Sequence, residues 1–260
     1  MKIRFLGSHN TETNTNGMVC MLLDEQIVLD VGSLVRHLTL QQQLNLKGVL
    51  ITHQHYDHVR DLPALTMNCF LNNRTVNVYG SQEVQSALEQ HLLNDAIYTR
   101  FLTNHTLRFT VVQPSTAFNI DDYDVTPIAV NHSVPTQGYL VKKGNRSFFY
   151  TGDTGPGLEA CWQQVHPDVL ITELTSPNRF SNFKSAKVHF TPELLQEELQ
   201  LFHTLKGYLP EIFVVHMNSA LENEIASELE IVSNTLSCKI TLAQEGQEID
   251  VQHRTSTHMC

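Results

Sequence analysis

Residues 47–60, Lys47-Gly48-Val49-Leu50-Ile51-Thr52-His53-Gln54-His55-Tyr56-Asp57-His58-Val59-Arg60, constrain this chain more than any other stretch. A short aliphatic run stops, and three imidazoles and one carboxylate follow within six residues. Such a run reads as a buried strand of an α/β sheet, and ligands bind beyond the carboxyl ends of these strands. Neutral imidazole and ionised carboxylate are good donors to zinc and similar divalent ions. A solvated turn has no use for three histidines so closely spaced.

Composition narrows the setting. A chain of 260 residues makes one large domain or two small ones with ample core. Its formal charge of −10 argues against a wide nucleic-acid surface, which needs clustered Lys and Arg. A small site is exempt, because bound metal ions reverse the local field. Cys20, Cys69, Cys161, Cys238 and Cys260 show no CxxC spacing and read as free thiols in a reducing compartment. Met1 to Leu6 lacks a long apolar segment, and no run approaches a membrane span. The expectation is a cytoplasmic protein.

In chain order, Lys2 to Leu6 reads as a strand and the Asn/Thr-rich 9–17 stretch as a loop. Runs at 18–23 and 26–31 form a hairpin, and a helix is expected from Ser33 to about Leu44. After the strand at 48–52 come a helix over 61–71, a strand over 76–79 and an amphipathic helix from Ser81 to about Leu93. From 107 to 150 the pattern turns to short strands, ending in a hairpin at 137–150. Strand–helix alternation then returns, with strands at 169–172 and 212–215 and helices at 191–205 and 221–236. Thr191, Pro192 and Glu193 suit the N-cap and first turn of the first of these helices. Each half thus runs strands first, then an alternation. No low-complexity linker interrupts them, so a single domain over 1–260 is expected, with a loose tail over 253–260.

The same layout, a strand followed by a metal-competent or acid–base residue, recurs at His132, Asp153, Glu173 and His216. Together with His53-x-His55-x-Asp57-His58, these positions resemble the metallo-β-lactamase-fold hydrolases over nearly the whole chain. The resemblance implies an α/β fold, a four-layer αββα sandwich of two mixed sheets, holding two divalent metal ions. Carried over by position, His53, His55 and His132 would hold the first ion. Asp57, His58 and His216 would hold the second, with Asp153 bridging. The imidazole-rich set suits zinc, and manganese and iron are compatible. Two cations with two carboxylates leave a site near +2, which attracts an anion, acidifies a water and clamps both oxygens of an in-line displacement.

Within that family, Thr151-Gly152-Asp153-Thr154-Gly155-Pro156, Glu173-Leu174-Thr175-Ser176-Pro177-Asn178-Arg179 and His189-Phe190-Thr191-Pro192-Glu193 look like the class II cyclic-nucleotide phosphodiesterases. Thr175-Ser176 and Val188 depart from that pattern, where Ser-Phe and Gly are usual. Glu173 and His189 also resemble the Glu–His pair of tRNase Z. In either case His189, oriented by Glu173, would protonate a leaving alkoxide, and Asp57 completes the implied catalytic set. The arm that tRNase Z inserts between its third-motif histidine and bridging aspartate has no room in residues 133–152.

A small phosphodiester, most plausibly a 3′,5′-cyclic nucleotide, is the expected substrate. A tRNase Z-like endoribonuclease and a non-catalytic metal-binding or sensing protein are the alternatives. Loop 178–187 offers substrate contacts: Asn178, and Arg179, Lys184 and Lys187 for phosphate, with Phe180 or Phe183 to stack on a base. Tyr56 and Asn131 are further candidates. Homodimers are common in the family, so a second copy is a candidate partner; a membrane or an extended nucleic acid is not expected.

Overall fold

The computed structural model describes residues 1–102 and 105–253. They group into two units, one of residues 2–113 and 244–249, the other of Met1, residues 114–243 and residues from 250 onward.

In the first unit the aliphatic runs become β1 (Lys2–Gly7), β2 (Cys20–Leu23) and β3 (Ile27–Leu29), then β4 (Gly48–Leu50), β5 (Val76–Gly80) and β6 (Leu107–Val111). With the strand Glu248–Asp250 on the edge beside β1, they form a seven-stranded mixed sheet among the described residues. β1 to β3 form an antiparallel meander, and β3 to β6 pair in parallel. Every residue of β2, β3 and β4 is buried, as near-continuous apolar strands require when both faces are covered. The core beside this sheet gathers Leu22, Val28, Val49 and Ile51 with Leu62, Leu65 and Val84. Each such side chain contributes roughly 1.5–3 kcal/mol on burial.

The helices of this unit are α1 (Leu40–Leu44), α2 (Tyr56–Val59), α3 (Leu62–Leu71) and α4 (Gln82–Ala87). The helix expected from Ser33 is only α1, because Thr39 and Gln42 close a capping box that starts it at Leu40. Ser81 does cap its helix, accepting from the Val84 N–H at 3.3 Å. That helix ends as α4, and a π-helical turn over Leu88–Leu92 follows.

The second unit repeats the scheme. β7 (Phe118–Ile120), β8 (Tyr123–Val130), β9 (Thr136–Lys143) and β10 (Arg146–Tyr150) run antiparallel in sequence. β11 (Val169–Glu173), β12 (Glu211–Val215) and β13 (Ile240–Leu242) add in parallel, giving a second mixed sheet of seven strands among the described residues. Its helices are α5 (Glu159–Gln164), α6 (Pro192–Lys206) and α7 (Glu222–Leu236). The short elements α5, β13 and Glu248–Asp250 escape a reading by periodicity, since six or three residues hold too little pattern. Thr191 stands at the N-cap of α6 but its side chain makes no capping bond. Asn178 supplies one instead, its Oδ1 accepting from the Glu193 N–H at 2.7 Å.

Cys20, Cys69 and Cys161 are buried free thiols, and burial pushes each thiol up. Cys238 is half-buried, and Cys260 lies outside the described residues. So does the expected loose tail, apart from His253, whose Nδ1 lies 3.4 Å from Asp168 Oδ1. No helix among the described residues is long and apolar enough to cross a membrane.

Two carboxylates, Glu198 buried and Glu245 half-buried, tie distant segments within their units. Glu198 on α6 accepts from Gly157 N at 2.6 Å, Leu158 N at 3.3 Å and Trp162 Nε1 at 2.7 Å. Glu245 accepts from His9 Nδ1 at 2.8 Å, Gly17 N at 2.9 Å and Ser8 N at 3.3 Å. Burial alone would raise the Glu245 carboxyl, but the bonds from His9 and the Gly17 N–H outweigh it and bring it from 4.5 to about 2.

Glu198→Ala strands three donors, one of them a buried indole N–H. Its unfolding free energy, measured by denaturant titration, should fall by about 3–5 kcal/mol. Because the Glu245 pKa is depressed on folding, its contribution is whole above about pH 4.5 and is lost as pH falls toward about 2. Calorimetry across that range should show the Tm gap between wild type and Glu245→Gln closing as pH drops; a constant gap contradicts the linkage.

Candidate metal centre

The first unit brings four donors together at the end of β4. Asp30, directly after β3, is buried and sits at φ +53°. Its Oδ1 accepts from Thr52 N at 2.9 Å, and its Oδ2 accepts from the Thr52 hydroxyl at 2.9 Å and from His58 Nδ1 at 2.8 Å. The Thr52 hydroxyl proton is therefore spent on Asp30. Its oxygen is left to accept from His53 Nδ1, 3.0 Å away. Both rings thus carry a proton on Nδ1 and turn Nε2 outward, as buried carboxylate–histidine pairs do behind a metal. His53 Nε2 lies 2.9 Å from His55 Nδ1, and His58 Nε2 lies 3.5 Å from Asp57 Oδ2. Gly32 makes room here, since a Cβ on it would lie 2.3 Å from the Asp57 carbonyl oxygen. Tyr56, between these donors, is 63% exposed.

The second unit repeats the device at its own strand ends. His132 follows β8, and its Nδ1 donates to the Val188 carbonyl at 2.9 Å. Asp153 follows β10; its Oδ2 lies 3.2 Å from His216 Nε2 and 3.9 Å from His132 Nε2. His216 follows β12 at φ +66°, a region uncommon for a residue with a side chain. Its Nδ1 meets Thr175 Oγ1 at 2.8 Å, and that hydroxyl donates to Glu173 Oε2 at 3.0 Å.

Glu173, fully buried at the end of β11, orders what surrounds it. Its Oε1 accepts from His189 Nδ1 at 2.7 Å and from Thr154 N at 3.1 Å, and its Oε2 from Phe190 N at 3.3 Å. The His189 ring stacks on His216 at 5.4 Å and 9°, and stands edge-on to His132 at 4.9 Å. Ligand atoms of Glu173, His189 and His216 lie within 4.8 Å of one another.

These donor sets fit divalent metal ions. In His53, His58, His132 and His216, Nδ1 is bound to an oxygen of the protein and Nε2 remains to coordinate, with Asp57 and Asp153 alongside. Imidazole with carboxylate is the chemistry of zinc and its neighbours. Asp30 was not among the residues singled out from the sequence. Its signal is the one used for the others, a carboxylate directly after a buried strand, but no motif spacing marks it.

Loop 178–187 is well tied. Asn178 donates its N–H to Glu228 Oε2 at 2.7 Å besides capping α6. Arg179 Nε pairs with Glu224 Oε1 at 3.1 Å, and its guanidinium lies 4.8 Å over the Phe180 ring. Lys184, Lys187 and Phe183 are exposed. Asn131 turns its side chain onto backbone carbonyls of its own unit.

Asp30→Asn should weaken zinc binding by about 10- to 100-fold, because it leaves one acceptor oxygen for the Thr52 and His58 donors that now use two. Competition against a chromogenic chelator measures this, and unchanged affinity would remove Asp30 from the centre.

Residues 29–217 match the family model described as beta-lactamase superfamily domain. A ribonuclease Z of Acaryochloris marina is 28% identical over 157 residues, covering 56% of this chain and 49% of that protein. One of Pyrococcus horikoshii is 28% identical over 155 residues, with shares of 56% and 49%. The chain spans about half the length of the curated relatives it matches. Among solved structures, unliganded yeast PDE1 superposes with TM-score 0.79 at 18% identity, over 95% of this chain and 98% of that one. The short form of human tRNase Z gives 0.68 at 18% identity, over 97% and 100%. The two mixed sheets with their helices are those of the αββα sandwich, and the chain belongs to the beta-lactamase superfamily domain family, with the metallo-β-lactamase fold.

Proposed function

We propose that the protein is a metal-dependent phosphodiesterase acting on a small phosphodiester, a 3′,5′-cyclic nucleotide, within a single functional domain. His53, His55 and His132 would hold one divalent ion and Asp57, His58 and His216 the other, with Asp153 shared between them; zinc suits this set best. When bound, the ions supply Lewis acidity and activation of the attacking water. Asp57 belongs to the catalytic set through this role.

The observation that carries hydrolysis, rather than metal storage or sensing, is the Glu173–His189 pair at 2.7 Å. Glu173 holds Nδ1–H, so a proton on Nε2 faces away from the buried carboxylate. As water forms its new bond to phosphorus, the bond to the leaving oxygen breaks, and His189 delivers that proton to the alkoxide. Such assistance is worth about 10²- to 10⁴-fold. A protein that merely held metal would not need a buried carboxylate aligning a further imidazole. Lys184, Lys187 and Phe183 are the exposed candidates for phosphate and base; Asn178, Arg179 and Phe180 would join by exchanging their present partners.

The second reading, a tRNase Z-like endoribonuclease, draws support from the curated relatives named ribonuclease Z. Against it, β9 and β10 with their short turn take up residues 136–150 between His132 and Asp153, where an RNA-binding arm would be inserted. The charge of −10 also disfavours a long polyanion.

Purified protein supplied with zinc, manganese or iron should hydrolyse cyclic AMP or cyclic GMP. His189→Ala should lower turnover by roughly 10²- to 10⁴-fold with metal content unchanged. Cleavage of precursor tRNA without cyclic-nucleotide turnover would transfer the assignment to the second reading. Full metal occupancy with neither activity would leave a binding protein.

A further inference from the structure

Asn131 precedes a metal-competent histidine, yet its side chain reaches neither His132 nor open solvent alone. Nδ2 donates to the Pro156 carbonyl at 2.7 Å and to the Lys187 carbonyl at 3.0 Å. Its own carbonyl accepts from Gly155 N at 2.7 Å and from the Thr154 hydroxyl at 3.2 Å. One residue therefore ties the end of β8 to two loops: the one leaving Asp153, and the one that arrives at His189.

The two loops are nearly in contact. A Cβ on Gly155 would lie 2.6 Å from the Lys187 carbonyl oxygen, so glycine alone permits the approach, and a single amide can then bridge both loops. The next residue continues the tie, since His132 Nδ1 donates to the Val188 carbonyl. Carbonyls 187 and 188 are thereby both fixed immediately before His189. From the other side, Thr154 N and His189 Nδ1 meet the same oxygen of Glu173.

We infer that Asn131 is a positioning residue for His189. It holds the backbone at 187–188 so that the imidazole sits over His216 with Nδ1 on Glu173. This rests on the phosphodiesterase reading only for its kinetic consequence; the geometric claim concerns His189 itself. Asn131 touches no reacting atom, and its effect passes through the loop. Both carbonyls need an N–H donor at that point, which the amide provides and a carboxylate does not. Asn131→Asp should therefore disturb the loop at least as much as Asn131→Ala.

The test compares both variants with wild type on two substrates of different leaving group. Cyclic AMP expels an alkoxide that needs a proton, whereas bis-p-nitrophenyl phosphate expels a nitrophenolate that does not. Displacing the acid by a fraction of an ångström should cost roughly 10- to 100-fold in kcat on cyclic AMP and several-fold less on the nitrophenyl ester. In His189→Ala, adding the Asn131 change should then cost little more. Equal losses on both substrates, or full additivity with His189→Ala, would overturn the inference. NMR of the histidine ring protons, assigned with His189→Ala, provides a readout without turnover. The His189 signals should shift in both Asn131 variants while unfolding midpoint and metal content hold. If wild type hydrolyses neither substrate, the functional reading fails, and unmoved His189 signals would then overturn the positioning role separately.

Discussion

A hydrogen bond from a ring Nδ1 to an oxygen of the protein is the interaction on which the donor set of each unit depends. Imidazole can offer either nitrogen, and a coordinating lone pair has a defined direction only when the other nitrogen is committed. Thr52 and Asp30 commit His53 and His58, the Val188 carbonyl commits His132, and Thr175 commits His216. Two buried carboxylates, Asp30 and Glu173, stand behind this arrangement. Each accepts backbone as well as side-chain donors, so the chain must be folded around them before the rings acquire a direction.

The two sheets arrive at this by the same topology. In each, antiparallel strands, β1 to β3 in the first and β7 to β10 in the second, lead into parallel ones, and an aspartate follows the last strand of the meander: Asp30 directly after β3, Asp153 three residues after β10. The next parallel strand delivers the densest chemistry, His53 to His58 after β4 and Glu173 with Thr175 after β11. Equivalent positions have taken different work. Asp30 orients a histidine from behind, while Asp153 faces His216 directly.

This explains what could be read from residues alone. Strand ends were legible because each consists of an apolar run that stops at a His, Asp or Glu, two local signals side by side. His53, His55, Asp57, His58, His132, Asp153, Glu173 and His216 all carried both. Asp30 carried both too, but without a spacing that sets it apart from any acidic strand end. Glu198 and Asn131 were illegible in the relevant sense. Glu198 is one of several glutamates on an amphipathic helix, and only the fold brings Trp162 and the Gly157 N–H to it. Asn131 signalled polarity near a site, and only the fold directs its amide onto two carbonyls. The capping partner of α6 was illegible for a related reason: the Glu193 N–H is capped by Asn178, fifteen positions away, so no local window contains the partner.

His216 stands in the left-handed region at φ +66°, a conformation that disfavours any side chain except the short polar ones. Strain of this kind costs on the order of 1–3 kcal/mol and persists where the surroundings enforce it. Glycine or asparagine would relieve the backbone at that position and remove the metal-competent imidazole in the same step. Selection for a sturdier chain and selection for an intact centre thus pull residue 216 in opposite directions. A screen for thermal stability that ignores chemistry would be drawn to this residue and would dismantle the centre while improving the fold.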